Sequence, residues 1–325
     1  MKREYSIDLI RIVCCLIVVL GHCLLVSIHQ SPVPVDPSFR STVEQITVFL
    51  RWVIPAFLMI TGYVIAKKKT CTYQYCFSHV LKFVEVLFTV GLFFALLELV
   101  FDEKTFSGSI VVRALVNVIT GQLWDHMWYV YLIIGIYLIL PVVHSFLQQD
   151  QRSVIILTVV LFVFSIMVPY LDKWIHIGVR VPFSEYLFYV VFGGAVSKIK
   201  TNKKWRCLYI FMTLLCMIYM VRFFRMENWE TTVHPAVCLM AMSLFLLMKD
   251  CDIKPSKRLL ALSGLTWGVY LIHPFFINVV VKVFRINLVG SMAWLKIAAF
   301  FCLMSAVSFG TTFILKKIPF VKDLF

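Results

Sequence analysis

Charge is in short supply in this chain: 15% of its 325 residues are Asp, Glu, Lys or Arg, 61% are hydrophobic, and the mean hydropathy is +0.90. Soluble domains carry about a quarter charged residues and about half apolar ones. A water-soluble core does not hide this much apolar surface, so lipid is the solvent for most of the chain. Acidic residues are scarcer still, 17 against 31 basic ones, leaving a net charge of +14. The basic residues gather in no single tail and on no soluble module, which excludes a nucleic-acid-binding footprint. They sit in short loops, where they mark membrane topology. The ten cysteines include no Cys-x-x-Cys pair, so zinc and thiol-redox chemistry lack a signature and no metal is expected. Most, such as Cys14, Cys15, Cys23, Cys216, Cys238 and Cys302, lie inside apolar runs and count as small hydrophobes. Cys71 and Cys76 flank a basic loop expected in the cytoplasm, where a disulfide is not expected. A cleavable signal peptide is not expected either. The first apolar run contains Asp8 and Arg11, is long and has no small-residue cleavage site, so it reads as a retained helix.

What is present is a series of apolar segments near the ~20 residues that a membrane crossing requires. They are 7–28, 44–66, 78–101, 126–147, 153–171, 184–198, 205–222, 233–249, 260–284 and 293–316. The expected fold is all-α: one membrane domain over 1–325, with about ten transmembrane helices. The segment 184–198 is the shortest and carries Gly193-Gly194, and 110–121 is expected as a short surface helix. With the N-terminus inside, the Lys and Arg of the cytoplasmic loops outnumber those opposite by roughly two to one. The inner set includes Lys67, Lys68, Lys69, Lys198, Lys203, Lys204, Lys254, Lys257 and Lys316. Both termini are therefore expected in the cytoplasm.

Four basic residues fall within spans: Arg11, Arg51, Lys82 and Lys296. A charge at the bilayer centre costs at least ~2.5–3.5 kcal/mol on insertion scales, so it needs a partner, a wet cavity or a role. Asp8 and Arg11, three apart, are helix neighbours and form an ion pair on the simplest reading. Arg11 and His22 are eleven apart, about three turns, so they share one helix face with roughly 16–17 Å between them. That face presents a cation near the cytoplasmic entrance and an imidazole deep in the membrane. A core histidine held only by hydrogen bonds is the plainer alternative. Arg51 lies toward the outer side of the second span, where it either anchors by snorkelling or binds. Lys82 either snorkels, pairs with Glu85 or meets an anion, while Lys296 snorkels. Trp128 at the start of the fourth span fits an interfacial belt. Pro274 after His273 interrupts the ninth span and frees backbone carbonyls, which suits a cavity wall or simple packing.

These residues carry a resemblance. Asp8-Leu-Ile-Arg11 followed by Gly21-His22 resembles the first-helix arginine-then-histidine signature of the acyltransferase-3 family of bacterial membrane acyltransferases. Arg51, Pro55 and Thr61-Gly62-Tyr63 are similar to its second-helix pattern, with threonine where serine is usual. His126-Met-Trp128-Tyr129 resembles its His-x-Trp helix. The segment from Glu185 to Gly193 and the run from Trp267 to His273-Pro274 resemble two later motifs. The five stand in family order over nearly the whole chain. One departure is that the third helix offers His79 and Lys82 where family members carry arginines, and lysine lacks the bidentate fork.

The resemblance implies a membrane O-acetyltransferase without a fused soluble domain, in a bacterial cytoplasmic membrane. It implies transfer of an acyl group, acetyl by family frequency, from cytoplasmic acetyl-CoA to a hydroxyl of a cell-surface polysaccharide or its lipid-linked precursor. Catalytic candidates are His22, Arg11 and Arg51. Arg11, Lys67, Lys68, Lys69 and Lys82 are candidates for the polyanionic donor. His126, Trp128, Glu185 and His273 are candidates for the acceptor side. His22 then acts as a base on the hydroxyl or takes the acetyl briefly; both routes stay open. A secondary transporter exporting a glycan precursor or small anion is the alternative, and a sensory or scaffold protein a third reading. Buried Arg and His suit the transporter, against which the missing inverted-repeat symmetry counts; the sensory or scaffold protein does not need Arg11 and His22 aligned.

Overall fold

The computed structural model describes residues 4–176, 178, 184–199, 203–223 and 234–325. The loop residues Lys2, Arg3, Arg180, Lys200 and Arg225, which also count in the charge bias, lie outside them. Each of the ten apolar segments is a helix. Among the described residues, eight helices have the length and composition to cross a membrane: α1 (Tyr5–His29), α2 (Pro37–Ala66), α3 (Tyr73–Glu103), α5 (Asp125–Leu147), α6 (Gln151–Ile175), α8 (Arg206–Phe223), α10 (Lys257–Val283) and α11 (Ala293–Leu315). The short helix expected near 110–121 is α4 (Gly108–Thr120). The remaining two, α7 (Glu185–Lys198) and α9 (Pro235–Lys249), have 14 and 15 residues. No strand occurs among the described residues, so backbone polar groups are satisfied within helices, as a lipid solvent demands.

Capping rather than hydropathy sets where the helices begin. Asp36 accepts from the backbone N–H groups of Ser38 and Phe39, and Pro37 supplies the first helical φ. As a result α2 starts seven residues before the apolar run. Thr72 caps α3 in the same manner through Tyr75 N–H, and Ser256 caps α10 through Leu259 N–H. At the other end of α2 the last carbonyls need donors. Gln148 Nε2 of α5 donates to Ala66 O at 3.1 Å, and His144 Nε2 donates to Lys68 O at 3.1 Å.

The shortness of α7 has a physical explanation. Fourteen residues rise only ~21 Å, less than the ~30 Å hydrocarbon core. Yet Phe188 through Val196 are all buried, because α2, α5 and α6 surround the helix. Protein rather than lipid is its solvent. Glycines on both sides permit the contact with α2. A Cβ on Gly62 would lie 1.8 Å from Val190 O, and one on Gly193 would lie 2.0 Å from Met59 O. Small residues at a membrane helix crossing let backbones approach, and close van der Waals packing then holds them.

The first helix is central. It packs on α2, α9, α10 and α11. Along α10, which runs parallel to it, Ser263 Oγ donates to Asp8 at 2.7 Å, Cys15 Sγ lies 3.6 Å from Thr266 O, and Gln30 Nε2 donates to Asn278 Oδ1 at 3.3 Å. This register brings His273 beside His22.

Candidate active site

Two cavities enter the bundle, and His22 borders both. The first, about 590 Å³, is lined by Arg11, His22, Arg51, Lys82, His126 and Trp128, together with Tyr75, His79, Tyr129, Tyr137, Trp267 and Tyr270. The second, about 530 Å³, is lined by His22, His126, His29, Gln30, Glu98, Trp124, Asp125, Asn278 and Lys282. It adjoins the C-terminal ends of α1 and α10 and the start of α5. His22 and His126 thus stand where the two spaces meet, while Arg11 belongs to the first alone.

Arg11 and His22 share a cavity, as their spacing requires. Arg11 Nη1 reaches Asp8 Oδ1 at 3.2 Å, and Asp8 is 1% exposed. The acid is fully withdrawn, while the guanidinium remains partly open to the cavity. Asp8 therefore orients Arg11, and Ser263 orients Asp8. Arg51 lies near the middle of α2, because the helix begins early. It sits at a break in the helix, where Arg51 and Trp52 form a turn between Leu50 and Val53. A Cβ on Gly21 would stand 3.9 Å from Leu50 Cδ1, so Arg51 is level with His22 along α1. Thr61, at the family's serine position, borders the same cavity and donates to Phe57 O at 3.1 Å.

The lysines divide. Lys82 lines the first cavity, but Lys67, Lys68 and Lys69 do not. Lys67 is tied to Glu4 and donates to Tyr63 Oη at 2.7 Å. Burial pushes the Glu4 carboxyl up, and its bonds to Lys67 and Tyr63 outweigh that to hold it below its usual value. Lys68 Nζ lies 3.5 Å from the centre of the Tyr75 ring in a cation–π contact, one residue removed from the cavity. Lys69 is exposed. Hydropathy and charge alone do not separate these cases, because the difference lies in partners far away in the chain.

The four candidates for the acceptor side also part ways. His126 is buried, with Nε2 3.3 Å from Leu271 O and Phe94, Trp124 and Tyr270 around its ring. Trp128 is 40% exposed at the rim and packs on Tyr186. Glu185, at the first turn of α7, borders neither cavity; its neighbour Tyr186 packs on Trp128 at the rim. His273 is fully buried against His22, ring centres 5.0 Å apart. Among the described residues no three His, Cys, Asp or Glu side chains converge as metal ligands.

Several wall residues were not among the sequence candidates. Tyr270 donates to His126 O and closes the space between α5 and α10, with Tyr129 5.7 Å from its ring. Glu98 and Asp125 are exposed polar residues at helix ends by sequence, and only the bundle turns them to one cavity. The segment after α11 turns back so that Asp323 and Leu324 join the first cavity's wall, held by Trp267 Nε1 donating to Leu324 O at 3.0 Å. Trp267→Phe removes that donor and keeps most of the ring. It is expected to release about 1 kcal/mol of anchoring, measured as faster proteolytic nicking beyond Leu315 in the purified protein.

A partly open guanidinium, a lysine and two imidazoles at the join of two cavities suit transfer of a group between two bound molecules. Comparison with known proteins agrees. A family model described as an acyltransferase domain, that of the acyltransferase-3 family, matches residues 4–313, whereas no curated protein and no solved structure matches the chain. The chain therefore belongs to the acyltransferase-3 family: it is a multi-pass membrane acyltransferase, of a family that acylates carbohydrate hydroxyls.

Proposed function

We propose that the protein moves an acetyl group from cytoplasmic acetyl-CoA to a hydroxyl of a surface glycan, or its lipid-linked precursor, at the outer side of a bacterial cytoplasmic membrane. The supporting observation is that His22 borders two cavities, only one of which carries Arg11, Arg51 and Lys82. The positive-inside rule assigns the Arg11 side to the cytoplasm. Coenzyme A is polyanionic, so its nucleotide end stays at the basic rim, with Lys82 and Arg11 within the cavity and Lys67, Lys68 and Lys69 beyond it. The pantetheine arm carries the thioester along α1 toward His22. The second cavity, with its amides, carboxylates and indole, takes the sugar.

In the reaction, His22 removes the proton of the acceptor hydroxyl, whose oxygen attacks the thioester carbonyl carbon. The carbon–sulfur bond then breaks, and the thiolate leaves with the proton from His22. An imidazole titrates near pH ~6.5, which suits this exchange at neutral pH. Arg51, level with His22, stabilises the oxyanion that forms on the thioester oxygen. Because both cavities reach His22, donor and acceptor meet there directly, and no acyl-histidine is required.

The test is transfer of labelled acetyl from acetyl-CoA to isolated surface glycan by purified protein in lipid, together with mass spectrometry of surface glycans from cells with and without the gene. An acetyl increment present only with the protein supports the reading, while identical glycans and no transfer in vitro overturn it. Arg11→Ala is expected to weaken acetyl-CoA binding about tenfold to a hundredfold, the value of one hydrogen bond to a charged group. It also costs stability, since it removes one partner of the buried Asp8 carboxylate. Arg11→Lys keeps the charge and recovers most of the stability but only part of the affinity. Isothermal titration with both variants checks this.

A further inference from the structure

His273 presents a puzzle that the proposed reaction does not use. It is fully buried, and its Nδ1 lies 2.9 Å from Val269 O. A carbonyl oxygen only accepts, so the proton of this neutral imidazole sits on Nδ1 and Nε2 is a bare acceptor. No partner for that Nε2 exists among the described residues. Buried acceptors are nearly always satisfied, and an exception at a functional site calls for an explanation. The His22 ring stands next to it, 5.0 Å between centres and tilted by 59°. His126 offers a parallel case. Its Nε2 faces Leu271 O, so its proton sits there and its Nδ1 accepts. Backbone carbonyls of α10 thus set the tautomers of both neighbours of His22.

We propose that His273 is a positioning residue for His22. Its bare Nε2 accepts the N–H of one His22 nitrogen, which leaves the other nitrogen as a lone pair turned to the join of the cavities. That bond needs the two nitrogens ~2.7–3.2 Å apart, which the proposal assigns to a turn of the His22 ring. When His22 takes up the hydroxyl proton, the bond to His273 holds the proton already on the far nitrogen. No atom of His273 enters the reaction. This inference rests on His22 as the base of the proposed function. It reassigns His273 from touching the acceptor to acting through His22.

The experiment uses diethyl pyrocarbonate, which acylates an imidazole lone pair and requires neither acetyl-CoA nor glycan. The full-length purified protein is treated near neutral pH, and the modification rate of His22 is read by peptide mass spectrometry. His273→Gln places an acceptor oxygen near the position of Nε2, whereas His273→Asn reaches only the Nδ1 position. The expected result is that His22 reacts readily in the native protein, about tenfold more slowly in His273→Asn, and within about twofold of native in His273→Gln. A packing role alone moves the two variants together and shows in thermal stability rather than in their ratio. Equal rates in native protein and His273→Asn, equal losses in both variants, or an unreactive native His22 each overturn the proposal. Loss of acetyl transfer in a His22 variant with any of these patterns overturns only the role of His273. A correct pattern without transfer overturns the proposed function instead.

Discussion

His22→Ala is expected to lower acetyl transfer by about 10²- to 10⁴-fold, the range of a positioned general base, while the protein still inserts and folds. The two halves of this expectation have separate causes. No other imidazole occupies the position of His22, although His126 also borders both cavities. Stability changes little because the imidazole borders two cavities rather than filling a close-packed core, so its removal enlarges an existing space instead of making a new void. His22→Gln, which keeps a polar group but has no basic nitrogen, falls as far as His22→Ala. Rates with acetyl-CoA and isolated glycan, beside size-exclusion profiles of the same samples, decide it. Transfer within tenfold of native in a monodisperse His22→Ala sample removes His22 from the chemistry.

Gly193→Ala is expected to have the largest effect on stability, at about 3 kcal/mol or more, the upper end of overpacking costs. The added methyl meets Met59 O at 2.0 Å and Met59 Cα at 2.6 Å. These are backbone atoms of a helix, so relief requires α2 and α7 to separate rather than one side chain to rotate. Gly62→Ala meets Val190 O at 1.8 Å and falls in the same class. Gly194→Ala meets first the Leu147 side chain, nearest at 2.4 Å, which can rotate away, and costs less. Gly135→Ala, with nothing within 4 Å of its Cβ, is the neutral control. The consequence extends to the site, because α2 carries Arg51 and Thr61 into the first cavity. Thermal melts of the four variants in one detergent should follow that order. A Gly193→Ala melting temperature within about 2 °C of native, the shift of a sub-kcal change in a chain this long, contradicts the packing argument.

The helical content was legible because lipid imposes a simple rule, that some twenty apolar residues must close their own hydrogen bonds. Each of the ten apolar segments is a helix. Their starts were less legible: Asp36 and Thr72 extend α2 and α3 through side-chain caps that hydropathy does not register. Nor does hydropathy distinguish a span that faces lipid from one enclosed by protein. Hence α7, at 14 residues, is a core helix, buried from Phe188 through Val196.

Within one helix, chemistry was also readable. The eleven-residue spacing of Arg11 and His22 follows from 3.6 residues per turn, and the two side chains do share a cavity. Across helices it was not. Lys67 and Lys82 look alike in sequence, yet Glu4 and Tyr63 hold the first while the second faces the cavity. By itself the sequence determined the solvent, the helices and the face of α1, since each depends on residues close together in the chain. Only the tertiary structure decided that α10 sets His273 beside His22 and that two cavities meet there, because those contacts join residues some 250 positions apart and no local periodicity encodes them.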